Sequence, residues 1–111
     1  MSLDLSLYFD LDTGGEAYTV EVFELNITHN LGEMADKAGL YSPMWGDSCE
    51  IAMEVVSAME AGIEYMENNE TDLKDLNPKN GWGAYEVLLK SANEYLKACR
   101  AYPKAKIHRW K

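Results

Sequence analysis

Residues 3–11 read LDLSLYFDL, in which leucine or phenylalanine at every odd position alternates with mostly polar side chains. A period of two is typical of a β-strand with one buried and one exposed face. Residues 12–15 end in two glycines and predict a turn, and residues 17–25 are rich in Tyr, Thr, Val and Phe. The sequence therefore predicts an N-terminal β-hairpin.

The second strand of this hairpin has an irregular pattern. Val20 and Val22 share a parity that Phe23 and Leu25 break. Either both faces of the strand are covered, or a β-bulge resets its register.

A short helix is predicted after the hairpin. Apolar residues recur at helical spacing from Leu31 onward, and Gly39 is a suitable residue to end the helix. Three residues before the apolar run can each act as the N-cap: Asn26, Thr28 and Asn30. The start of the helix is therefore open among these three positions.

A longer central helix is predicted after a loop at residues 41–46. Asp47 with Glu50 resembles a capping box, and the apolar stripe that follows extends to about Glu67. A single further turn is predicted to begin near Thr71.

The C-terminal third predicts one more helix and one more strand. Residues 84–102 have helical spacing and end at Pro103. Residues 105–110 alternate, and lysines lie within or directly beside them at positions 104, 106 and 111, as is typical of edge strands. The predicted fold class is α+β, in one domain covering residues 1–111. A small antiparallel sheet, made of the hairpin and the C-terminal strand, is covered on one face by about three helices.

The charge balance limits the possible partners. The 111 residues include 10 Lys and Arg against 19 Asp and Glu, a net charge of −9 with a pI near 4.6. Such a charge repels a polyanion, so direct binding to duplex nucleic acid is not expected. No stretch approaches the roughly 20 apolar residues of a membrane span. The start has no signal-like pattern and only two cysteines are present, so we expect a cytoplasmic protein that does not act at a membrane.

The first candidate site is the predicted strand-to-helix junction with Asn26, Thr28, His29 and Asn30. Free N–H groups at a helix N-terminus attract anions, and these side chains add directional hydrogen bonds, although the same residues can simply cap the helix. His29 and Glu33 lie one helical turn apart, which permits a metal ion or a general base, but two ligands are too few to hold a metal. No serine has a neighbouring histidine, so no nucleophile is nominated.

Two further segments contain residues that can bind a ligand or a partner as well as support the fold. In the first, glycines on both sides of Trp82 allow sharp bending, and Asn80, Trp82 and Tyr85 can cap the helix, pack on the core or present a stacking surface. In the second, Tyr41 and Trp45 are large aromatic residues in a predicted loop, where they can cover the core or contact a partner.

The central helix carries many acidic residues, among them Glu54, Glu60 and Glu64. These residues form either an ordinary solvated face or an acidic surface that docks on a basic partner.

Several segments together resemble a small family of proteins from tailed phages, prophages and some bacteria. They are the Ser2-Leu3-Asp4-Leu5 opening, Asn26-Ile27-Thr28-His29-Asn30-Leu31 followed by Met34-Ala35 and Ala38-Gly39, Trp45, and Asn80-Gly81-Trp82-Gly83 with Tyr85. The resemblance covers nearly the full length. It implies a phage-infected or lysogenic bacterial host as the context, but no activity, cofactor or partner. Because both polar motifs recur in that family, it also implies that they meet around one site.

The predicted function is that of a non-catalytic, phage-type accessory protein that binds a small polar ligand such as a nucleotide or a nucleotide-derived signal. The predicted ligand-binding residues are Asn26, Thr28, His29, Asn30, Asn80, Trp82 and Tyr85. An alternative is an acidic inhibitor or adaptor, for example an anti-defence protein, that binds a host protein through Tyr41, Trp45, Glu54, Glu60 and Glu64. A further alternative is a small metal- or histidine-dependent enzyme. No cofactor is indicated, and a homodimer is left open.

Overall fold

The computed structural model describes residues 2–12, 14–81 and 83–111. Two long strands open the chain, and a group of helices separates them from a short third strand. The strands are β1 (Ser2–Asp12), β2 (Ala17–Thr28) and β3 (Lys106–Trp110). The α-helices are α1 (Gly32–Lys37), α2 (Tyr41–Trp45), α3 (Val56–Asn68), α4 (Glu70–Lys74) and α5 (Tyr85–Ala101). Within the described ranges, no helix combines the length and the apolar character needed to cross a bilayer.

The strands form one antiparallel sheet in the order β2-β1-β3. The predicted hairpin and the predicted edge position of the C-terminal strand are both confirmed. The ladder between β1 and β2 shifts between Leu7 and Tyr8, where Leu7 faces Phe23 and Tyr8 faces Glu21. Val22 is therefore the extra residue of a β-bulge, which explains the broken parity of the second strand.

The inner face of the sheet lies against the helices. Leu3, Leu5 and Leu7 are each at most 1% exposed, as the alternating pattern predicts for the covered side of β1. The buried apolar residues of the sheet and the helices belong to one cluster. Helices α3 and α5 supply much of its other side, with Met59, Ile63 and Met66 from α3 and Leu88, Ala92, Tyr95 and Leu96 from α5.

The hairpin extends beyond the layer of helices. Strand β3 pairs only with residues Asp4–Tyr8 of β1, whereas β2 pairs with β1 as far as Asp12. Leu11 and Tyr18 face each other near the end of the hairpin, and they are 49% and 51% exposed. The far part of the hairpin is therefore an arm with an exposed apolar side.

Residues 41–46 were predicted to be a loop, and this prediction is wrong for most of the segment. Residues Tyr41–Trp45 form the short helix α2, in which Pro43, Met44 and Trp45 are buried. Proline is tolerated here because the first turn of a helix needs no N–H at that position. Burial of three consecutive residues against the core therefore outweighs the weak helical signal of a five-residue segment.

The predicted capping box of Asp47 and Glu50 is also wrong. The central helix begins later, through a 3₁₀ turn at Ala52–Val55 that leads into α3. The capping side chain is Glu54, whose Oε1 accepts hydrogen bonds from the backbone N–H of Ile51 at 2.9 Å and of Glu50 at 3.2 Å. Glu54 thus accepts hydrogen bonds from backbone N–H groups at the start of the helix, as Glu50 was predicted to do, but the helix start lies four residues later than predicted.

Arg109 joins the third strand to helix α2 and to the segment that follows it. Its half-buried guanidinium donates to the backbone carbonyls of Pro43, Met44 and Cys49, at 2.9, 3.0 and 3.0 Å. Because side chains alternate along a strand, an inward Arg109 leaves His108 and Trp110 on the opposite face of the sheet.

Candidate functional site

At the strand-to-helix junction the polar side chains are engaged in holding the local fold. Thr28 is the N-cap of the 3₁₀ turn His29–Leu31, which leads into α1. Its Oγ1 accepts a hydrogen bond of 3.3 Å from the backbone N–H of Asn30. Asn26 lies two residues earlier, on the same side of the sheet as Thr28, which faces away from the helices. Its Nδ2 donates to Asp4 Oδ1 at 2.6 Å and to Ser2 Oγ at 2.9 Å. The side chain of Asn26 therefore joins β2 to β1, while Thr28 orders the first turn.

His29 is half-buried and serves as an acceptor. Its Nδ1 accepts a hydrogen bond of 2.9 Å from the indole Nε1 of Trp45, which is only 2% exposed. Because an indole N–H can only donate, Nδ1 is unprotonated and the proton of the neutral ring is on Nε2. Nδ1 is therefore occupied, and Nε2 has no lone pair for general-base catalysis in this arrangement. Trp45 was predicted to contact a partner, but it is buried and its ring stacks on Tyr41 at 5.5 Å between centroids.

The predicted pairing of His29 with Glu33 around a metal ion has no support in the geometry. Among the described residues, no three or more His, Cys, Asp and Glu side chains are grouped so that they could hold a metal ion.

The polar segment at residues 80–85 approaches the strand-to-helix junction at residues 26–30 through Gly83. A Cβ at this position would lie 3.0 Å from both Thr28 Cγ2 and Leu31 Cγ, and the φ angle of Gly83 is +106°. Only glycine fits both the left-handed backbone and the close approach. Trp82, which was predicted to stack on a ligand, lies outside the described residues.

The two other predicted residues of this segment have different positions. Asn80 is exposed. Tyr85 is 2% exposed, and its hydroxyl donates to the backbone carbonyl of Met66 at 2.8 Å. Burial is the main reason that the pKa of Tyr85 is raised. Tyr85 therefore packs inside the protein and presents no stacking surface.

The acidic residues predicted for an interface are exposed, and two of them have structural partners. Glu54 caps the turn before α3, and Glu60 Oε2 forms an ion pair with Arg100 Nη2 at 2.7 Å. Glu64 is exposed on α3, and Tyr41 is 42% exposed beside α1. These acidic residues therefore either make local contacts, as Glu54 and Glu60 do, or face solvent, as Glu64 does.

The open surface of the protein is the outer face of the sheet. The residues on it come from alternate positions of all three strands, and no helix of the described core packs there. They are Ser2, Asp4, Ser6, Tyr8 and Asp10 from β1, Thr19, Glu21, Glu24, Asn26 and Thr28 from β2, and Lys106, His108 and Trp110 from β3. Two adjoining depressions of about 380 and 210 Å³ lie on this face, and Ser6, Glu21 and His108 line both. We call this surface the outer sheet face.

Three aromatic rings form one side of the outer sheet face. The ring of His108 lies 6.5 Å from that of Tyr8 in an edge-on arrangement and 6.5 Å from that of Trp110. Trp110 is 66% exposed, the most exposed of the large apolar side chains described. An exposed indole next to acidic groups is a surface on which a cation can stack.

The carboxylates of the outer sheet face differ in how they are neutralised. Asp10 accepts from Lys106 Nζ at 2.8 Å, and this contact is the main reason that its pKa is lowered. The pKa of Glu21 is raised above its usual value, first by a hydrogen bond with Glu24 and also by the like charge of that residue. Among the described residues, no lysine or arginine forms an ion pair with Glu21 or Glu24. This carboxylate pair therefore lacks a lysine or arginine partner among the described residues, and the nearby His108 is the one cationic group that lowers the pKa of Glu21.

Sequence reasoning missed the outer sheet face, although part of its signal was visible. Alternation places Tyr8 opposite the buried leucines, and it places His108 and Trp110 on one side of the last strand. The strand order, which brings β3 next to β1, was needed to show that these rings are neighbours.

Comparison with known protein families, with curated proteins and with solved structures finds no match to this chain.

Proposed function

We propose that this protein is a non-catalytic, acidic binding protein that docks a basic segment of another protein on its outer sheet face. The observation that carries the proposal is that Glu21 and Glu24, which form no ion pair with a lysine or arginine among the described residues, line one depression together with the exposed ring of Trp110. In the phage context that the resemblance implies, the partner would be a host protein and the role would be that of an adaptor or inhibitor.

The chemistry of the face suits arginine in particular. A guanidinium can bind a carboxylate through two parallel hydrogen bonds and can stack its plane on an aromatic ring. The pKa of Glu21 is raised first by its hydrogen bond with Glu24 and in smaller part by the like charge of that residue, and a cation between the two carboxylates would relieve this repulsion. The net charge of −9 also speeds the approach of a basic partner, most strongly at low salt.

The test uses a fluorescein-labelled ten-residue peptide of alternating Arg and Ser, with fluorescence anisotropy as the readout. Exposed charge pairs contribute about 0.2–1 kcal/mol each, so the double variant Glu21→Gln, Glu24→Gln should weaken binding about fivefold. The matched control is Glu64→Gln, Glu67→Gln, an exposed pair with the same spacing on α3 and the same change in net charge. Equal weakening by both variants would show only a diffuse field, and no binding by the wild-type protein would refute the proposal.

A second candidate function is the binding of a small polar ligand where the two polar segments adjoin. The observation that favours it is the close approach of Gly83 to Thr28. Thermal-shift measurements with a panel of nucleotides and cyclic dinucleotides test it, and a panel without any ligand-dependent shift would refute it.

A further inference from the structure

One edge of the sheet is open for another strand. Strand β2 is an outer strand of 12 residues, and among residues 2–12, 14–81 and 83–111 no backbone group of another element bonds to its far side. The opposite edge is different, because Ile107 N–H donates to Glu50 O at 2.8 Å and Ile51 bridges to Lys106. The segment at residues 50–51 therefore covers part of β3, while β2 keeps a row of unpaired N–H and C=O groups.

The side chains of β2 divide into an acidic side and an apolar side. Glu21 pairs with Tyr8 and Glu24 with Ser6, so both glutamates lie on the outer sheet face. Val20 pairs with Phe9, and Tyr18 lies two positions earlier on the same inner side. Tyr18 is 51% and Val20 41% exposed, because the helices do not extend along the hairpin arm.

Resting on the function proposed above, we propose that the basic partner binds as an added β-strand along the free edge of β2, with basic residues alternating with apolar ones. An added strand runs about 4.8 Å from its neighbour, and directly opposite side chains come within roughly 5 Å of each other. The basic residues then lie beside Glu21 and Glu24, and the apolar residues cover Val20 and Tyr18. Main-chain hydrogen bonds supply affinity, and the alternation supplies specificity.

A second copy of this chain is a poor occupant of the same edge. Two β2 strands paired around Glu21 and Glu24 would bring the glutamates of the two copies together, and like charges that face each other across strands are destabilising. The bulge at Val22 also interrupts the regular ladder, which disfavours indiscriminate strand pairing. A short basic strand avoids the repulsion between the glutamates of two copies, and it can follow the local twist of β2 at the bulge.

The experiment compares two ten-residue peptides of alternating Arg and Val. In the second peptide every residue is N-methylated, which removes the N–H donors on both edges of the strand and blocks strand pairing in either direction but keeps the charge and the side chains. Isothermal titration calorimetry should show at least tenfold tighter binding of the unmethylated peptide. Hydrogen exchange should show new protection of backbone amides along β2 in that complex and none along β3.

The outcomes separate strand addition from cation binding. Equal affinity of the two peptides, with both weakened by Glu21→Gln, Glu24→Gln, would overturn strand addition and leave the proposed function standing. Protection at β3 or at the distal end of β1 in place of β2 would overturn it as well. If neither peptide binds, the proposed function fails and strand addition fails with it.

Discussion

The hydrogen bond between His29 and Trp45 predicts that His29→Ala acts on stability. The substitution removes the acceptor at 2.9 Å from the Trp45 indole nitrogen, and the indole is 2% exposed, so water does not readily replace it. A buried donor left without a partner costs about 1–3 kcal/mol. Taking about 2 kcal/mol, and about 4 °C per kcal/mol for a domain of this size, Tm should fall by roughly 8 °C.

The matched control is His29→Asn, because the Oδ1 of asparagine occupies nearly the position of the histidine Nδ1 and can accept the same bond. Urea unfolding followed by far-UV circular dichroism gives the free energy of unfolding for each variant. We expect His29→Asn to retain at least half of the stability that His29→Ala loses. In a Trp45→Phe background, which lacks the donor, His29→Ala should cost about 2 kcal/mol less than in the wild type. Equal losses in His29→Ala and His29→Asn, or additivity with Trp45→Phe, would refute the assignment.

Three more predictions follow from the core and from the outer sheet face. Gly62→Ala should destabilise the protein by about 1 kcal/mol in thermal unfolding, because a Cβ there would lie 2.7 Å from Cγ of the buried Leu40, and this overpacking exceeds the gain in helix propensity. At pH 8 Ellman's reagent should label half-buried Cys49 but leave Cys99 unmodified until denaturant is added, because burial raises the pKa of the Cys99 thiol to about 12. Affinity for the arginine peptides should fall as the pH is lowered through the raised pKa of Glu21, since only the ionised carboxylate attracts the cation. Calorimetry from pH 7 to 4 checks this, and Glu21→Gln should make the profile less steep, because Glu24 and His108 on the same face remain.

The parts of the fold that the sequence predicts are those with a strong local period. The alternation at residues 3–11 correctly predicts burial of Leu3, Leu5 and Leu7 but not of Leu11, which is 49% exposed on the hairpin arm. The apolar repeat of residues 84–102 locates α5 to within one residue at each end. The broken parity of residues 20–25 leaves a bulge as one of two alternatives, and the structure shows the bulge at Val22. In each case the signal lies within neighbouring residues, so no tertiary information is needed.

The parts that could not be predicted depend on residues that are distant in sequence. The partner of His29 is 16 residues away, on a helix that forms because Trp45 is buried. The outer sheet face requires Tyr8 and His108 to be neighbours, which depends on the strand order. A single sequence shows which side of a strand is polar, but it does not show which strands are adjacent.

The strand order also affects the route by which the protein folds. The β1–β2 ladder is a local hairpin that can form early, whereas the β1–β3 ladder joins Asp4 to Trp110 across almost the whole chain. Contacts of such long sequence separation slow folding, because the entropy lost in closing the loop precedes the stabilisation gained from the contacts. Until Arg109 and its strand dock, the central strand has a partner on one side only. We therefore expect the sheet to be completed late in folding, and any chain in which β3 has not yet docked exposes the second edge of β1 to other chains.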